Sequence, residues 1–177
     1  MRDTIARRSD VDKSSMKYEV EPGSGSYRNG TITFAARKGK SLDLAAIHAD
    51  LQGTRLGRKT RSAVNYLEVT ATGDVVVAGK ETLLKVSGTG QQFTLGDDPK
   101  ARPKEGAKTP FARLAEARAR GEKVVSVTGR VHGWSGRWPE VLRALPGKPA
   151  GDADKADRPD ARKAPLLVVT DFETAKK

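Results

Sequence analysis

The apolar residues of this chain fall in short runs that mostly alternate with polar ones, and glycine- or proline-bearing stretches separate the runs. Alternation with a period of two is the signature of half-buried strands, and such strands must close on one another or be covered by helices. Tyr18 and Val20 alternate in 17–21, and Ile32 and Phe34 share one face of 31–36. The runs VNYLEVTA at 64–71 and DVVVAG at 74–79 flank Thr72-Gly73, a spacing that predicts a hairpin turning at that pair. Two further strands are expected at 82–87 and 91–95, with a helix over 80–86 as the competing reading. The β-branched run KVVSVTGRV predicts a strand over 123–131, and PLLVVTDFE a last one over 165–173.

Helical spacing occurs twice. Leu44, Ile47 and Leu51 recur on one face after Ser41, a good N-cap, which predicts a helix over 42–52 with Gly53 beyond its end. Thr109-Pro110 opens a second helix over 110–120, because threonine caps and proline is tolerated at the first helical position. The charged, proline-bearing tracts 97–109 and 146–165 offer almost nothing to bury and are expected to be mobile loops. Residues 1–16 are polar and read as a disordered leader, which leaves one compact domain over 17–177.

The chain of 177 residues has no cysteine, which excludes disulfides, thiolate nucleophiles and cysteine-ligated metal. The start, MRDTIARRSDVDKSS, lacks the apolar stretch of a signal peptide, and no apolar run approaches a membrane span. A cytoplasmic location with no membrane partner is the resulting expectation.

Catalytic motifs fail on particular residues. Gly39-Lys40-Ser41 lies between a strand and a helix, where a phosphate-binding loop would put its lysine and hydroxyl, but the glycine required five positions earlier is Phe34. Gly133-Trp134-Ser135-Gly136-Arg137 resembles a nucleophile elbow, yet its second required glycine is Arg137. The two histidines, His48 and His132, have only carboxylates such as Asp50 or Asp171 to complete a metal site. No catalytic residue, metal ligand or cofactor is therefore assigned, and a non-enzymatic role is expected.

What does stand out is charge. Lys and Arg outnumber Asp and Glu by 33 to 22, a net charge of +11, which attracts nucleic acid or another acidic partner. Arg55, Arg58, Lys59 and Arg61 are packed into seven positions without apolar periodicity, and they are the residues assigned to phosphate contacts. Arg37, Lys38 and Lys40 lie at the other end of the first helix, so the two groups point to dispersed charge rather than one footprint. Charge runs are most often simply solvated surface.

Two resemblances organise these elements. From about residue 64 onward, a hairpin, two strands, the helix at 110–120, KVVSVTGRV and PLLVVTDFE resemble an OB-fold barrel, in which a helix separates the third and fourth strands. This implies an α+β, mainly antiparallel, partly open barrel with an N-terminal strand and helix added to it. The order strand 31–36, helix 42–52, two strands, helix and strand also resembles the ferredoxin-like βαββαβ plan of heavy-metal-associated domains. Where that family places its Cys-x-x-Cys, this chain has Ala35-Ala36-Arg37-Lys38-Gly39-Lys40, so the resemblance implies a degenerate member acting on a protein partner. The OB-like reading uses the strands at 82–95 and 166–173 and is preferred. It implies a binding module, with nucleic acid or an acidic protein as partner.

Overall fold

The computed structural model describes residues 1–20, 30–52, 54, 62, 64–98, 106–132 and 164–175. It is an α+β protein with mostly antiparallel strands, and its chain divides into two compact units, Met1–Ala63 and Val64–Lys177.

In the first unit, helix α1 (Arg2–Ala6) leads into strand β1 (Val11–Val20), which pairs antiparallel with β2 (Gly30–Ala36) before helix α2 (Leu44–Leu51). Residues 2–6 and 11–16, largely polar in sequence, lie in α1 and β1, where polar side chains serve the backbone. The β1–β2 register shifts between Asp12 and Lys17, and there Asp12 Oδ1 accepts from the Ser14 amide and hydroxyl, while Ser15 Oγ accepts from the Ala35 amide at 2.8 Å. Polar side chains here supply the bonds that a bulge takes from the ladder. The apolar payload is small: Ile5, Val11, Leu44, Ile47 and Leu51 are buried. Helix α2 begins as expected within two residues, but its cap is Asp43, which accepts from the Ala46 amide at 2.9 Å, and not Ser41.

The second unit is a barrel. Strands β3 (Glu68–Ala78), β4 (Glu81–Val86), β5 (Gln92–Gly96), β6 (Val124–Val131) and β7 (Leu166–Thr174) close in the order β3-β4-β5-β7-β6, with helix α3 (Pro110–Ala119) between β5 and β6. Every pairing is antiparallel except β5 with β7. The interior holds Leu84, Phe93, Leu95, Val127, Val131, Leu167 and Val169. Thr109 caps α3 by accepting from the Ala112 amide at 3.0 Å, with Pro110 at the first position, as its sequence predicts. The helix packs on β7 and β6 and buries Leu114 and Ala117.

The registers fix the barrel's shape. Val77 faces Thr82, Thr82 faces Leu95, Leu95 faces Leu167 and Leu167 faces Val131, whose amide donates to the Leu67 carbonyl. One circuit thus returns to β3 displaced from Val77 to Leu67, ten residues along the strand. With ~3.3 Å per residue and ~4.8 Å between strands, that stagger tilts the strands by about 55° to the barrel axis. Strand β3 must then serve two neighbours in succession, β6 through residues 68–72 and β4 through 73–78. Gly73 stands where it changes partner, and a Cβ there would lie 2.0 Å from the Lys85 carbonyl oxygen.

This corrects the hairpin expected at Thr72-Gly73. The strand runs straight through that pair, and the turn falls at Gly79-Lys80, where Gly79 has φ 63°. Glycine marks close backbone approach as readily as it marks a turn, and a sequence does not distinguish the two. The competing helix over 80–86 is strand β4. The ferredoxin-like alternative also fails, because β2 pairs with β1 and not with β3, β4 or β6. No helix among the described residues is long and apolar enough to cross a membrane.

Candidate nucleic-acid interface

The four residues assigned to phosphate contacts, Arg55, Arg58, Lys59 and Arg61, lie outside the described residues, as do Trp134 and Trp138. The described elements nevertheless constrain where the charge resides. The described residues, turns included, carry sixteen Lys and Arg against fifteen Asp and Glu; within the barrel unit the figures are eight and nine. Ten of the eleven net positive charges therefore belong to other segments: four to 55–61, and two each to 99–105, 133–163 and 176–177. The described residues are close to neutral, and most of the net positive charge of the chain lies outside them.

One of those segments, 133–163, is bounded at one end of the barrel. The stretch 133–163 leaves after His132 and returns at Ala164, and the His132 amide donates to the Leu166 carbonyl at 2.9 Å. Pro165 accepts from the Thr94 amide at 3.0 Å, and the Thr94 hydroxyl donates to Ala164 O at 3.4 Å. Strand β5 ends at Gly96, which faces Val168, and opens the segment containing 99–105. The connection Ser87–Gln91 between β4 and β5 lies at the same end as 133–163, whereas the Gly79-Lys80 turn lies at the other, because β4 is antiparallel to β5 and β5 parallel to β7.

On the barrel wall beside the end that bounds 133–163, Arg130 of β6 faces Glu68 of β3. Its Nε donates to Glu68 Oε2 at 3.3 Å, and its guanidinium carbon lies 4.4 Å from the centroid of the Tyr66 ring. Next along the same face, the Thr70 and Thr128 hydroxyls share a hydrogen bond of 2.8 Å. Tyr66 is 44% exposed, whereas Phe93 is core and presents nothing to a ligand. Composition singles out Tyr66 only as one aromatic residue among several; its pairing with Arg130 depends on a strand register that the sequence does not spell out.

The N-terminal unit has a different cluster. Arg8 grips Asp10 through two nitrogens at 3.0 Å each and Asp50 through a third at 2.7 Å, and Asp10 Oδ2 also accepts from the Asp43 amide at 3.1 Å. Arg8, Asp10 and Asp43, together with Ser9 and Ser41, line a shallow depression. The hydrogen bonds that Arg8 donates to Asp10 and Asp50, against some burial, raise it above its ordinary value. Burial pushes Asp10 upward, but the bonds from Arg8 and the Asp43 amide outweigh it and leave this carboxyl below its ordinary value. Asp12 is lowered by its bonds from Ser14. With all three Arg8 nitrogens engaged by carboxylates, the depression is a structural tie and offers no cation to an anionic ligand.

Lys40 donates its amide to the Arg37 carbonyl at 2.9 Å and Gly39 adopts φ 73°, so Arg37–Lys40 is a tight turn before α2 rather than a phosphate-wrapping loop. Among the described residues, no group of three or more His, Asp or Glu side chains is placed to hold a metal ion. The chain matches no protein-family model, no curated protein and no solved structure.

Proposed function

We propose that this chain is a non-enzymatic binding module, an OB-like barrel carrying an additional hairpin-and-helix unit, that takes up single-stranded nucleic acid through basic segments attached to a neutral scaffold. The observation that carries the reading is the division of charge: sixteen basic against fifteen acidic among the described residues, with ten net positive charges outside them. Charge confined to connecting segments attracts a polyanion without loading the barrel with like-charge repulsion.

The barrel's order supports the OB-like part of the reading. A five-stranded ring with a helix between its third and fourth strands is the plan of that fold, whose first and fourth connections are its usual places for oligonucleotides. Here the first is the Gly79-Lys80 turn and the fourth is the segment 133–163. In this reading Arg55, Arg58, Lys59 and Arg61 serve as phosphate contacts, and the cell compartment is the cytoplasm.

Fluorescence anisotropy with labelled single- and double-stranded oligonucleotides at low and moderate salt tests the proposal. Single-strand binding that weakens steeply with salt is the expected result, because each neutralised phosphate releases counterions. Absence of binding at low salt overturns it and directs the search to an acidic protein.

A further inference from the structure

Arg130 and Tyr66 form a contact whose geometry suits one nucleotide. Alternation along β6 turns Val127 and Val131 inward at 0% exposure, which sends Arg130 to the outer surface. There Glu68 holds the guanidinium by its Nε alone, and the guanidinium lies over the Tyr66 ring. Neither partner is sealed: the Arg130 side chain is 51% exposed and Tyr66 44%. The described residues give the two terminal guanidinium nitrogens no hydrogen-bond partner, so donors of the geometry that matches a phosphate face outward.

We propose that the Tyr66–Arg130 pair is a nucleotide-stacking contact for single-stranded nucleic acid, with a base laid on the exposed aromatic and guanidinium surface and a phosphate on the terminal nitrogens of Arg130. The inference rests on the function proposed above and names the part of it that reads bases. A duplex does not fit, because its bases already stack on one another, whereas an unpaired base offers a free π-face. The near-neutral barrel gives the contact a distinct signature: it adds preference for bases over bare phosphate, while the salt dependence resides in the basic segments. Glu68 competes with phosphate for Arg130, so Glu68→Gln strengthens binding where loss of a merely structural ion pair would not.

Anisotropy of the full chain with a labelled thymidine strand and an abasic strand of equal length separates these contributions. The wild-type chain is expected to prefer the thymidine strand. Tyr66→Ala lowers that preference by roughly fivefold to a hundredfold, the range for one stacked base, and Tyr66→Phe keeps it. Tyr66→Leu, which retains bulk without a π-face, behaves as the alanine variant and guards against a folding defect. Equal, salt-sensitive binding of both strands by the wild type, or a preference that survives Tyr66→Ala and Tyr66→Leu, overturns the stacking contact and leaves the polyanion reading standing. Failure of both strands to bind overturns both.

Discussion

The barrel and the N-terminal unit use strands of similar composition but are held by different forces. Leu84, Phe93, Val127, Val131 and Leu167 are at most 1% exposed in the barrel, where a closed ring lets each strand bury one face completely. The N-terminal pair β1–β2 has no third strand among the described residues, leaves Tyr18 and Val20 nearly half exposed, and is fastened through Arg8, Asp10, Asp43 and Asp50. A two-stranded sheet is at best marginal alone, so the polar tie carries weight there that it would not carry in the barrel. Closure replaces electrostatics, and a short open sheet depends on it.

The sharpest way to break this comparison is Gly73→Val. A side chain at the point where β3 changes partner meets the Lys85 carbonyl, and the barrel is expected to lose more than about 4 kcal/mol, at the extreme of single substitutions. Amide protection over 68–78 is the readout, and native protection in the variant would mean that the strand does not need the close approach. Arg8→Ala comes next. It removes charged hydrogen bonds worth about 1.5–3 kcal/mol, and hydrogen exchange should locate the loss in α2 and β1–β2 while barrel amides keep their protection. Loss spread evenly over both units would contradict the division.

Acidification gives the smallest effect and sharpens the same contrast. Asp10 and Asp12 titrate lower in the folded chain than their ordinary 3.8. The unfolded chain therefore binds protons first as the pH falls, and the stability these groups contribute is present above about pH 4 and lost as the pH drops through their folded values. Exchange in the N-terminal unit, corrected for its intrinsic pH dependence, should accelerate in that range, and in the Arg8→Ala variant the acid dependence should shrink.

Legibility in the sequence followed the range of the forces involved. Local signals read well: Thr109-Pro110 starts α3, and the alternation of 82–95 and 123–131 yields β4, β5 and β6. Non-local ones did not. Gly73 carries the letters of a turn but answers to a carbonyl on the next strand, and Asp12, Ser14 and Ser15 look like a solvated tail while they complete a bulge. The charge excess was legible as a number, but its absence from the strands and helices required knowing where those elements begin and end. Arg130 over Tyr66 is a product of register, which hydrophobic pattern alone leaves unspecified.

The most direct test of the account is the salt dependence of single-strand binding by the full chain and by a variant with Arg55, Arg58, Lys59 and Arg61 all changed to Glu. Each phosphate contact on a single strand contributes roughly 0.7 to the slope of log K against log salt, so removal of four should lower its magnitude by about three. That loss, with barrel amide protection unchanged, is the predicted result. An unchanged slope would contradict the claim that Arg55, Arg58, Lys59 and Arg61 supply the phosphate contacts while the near-neutral barrel does not.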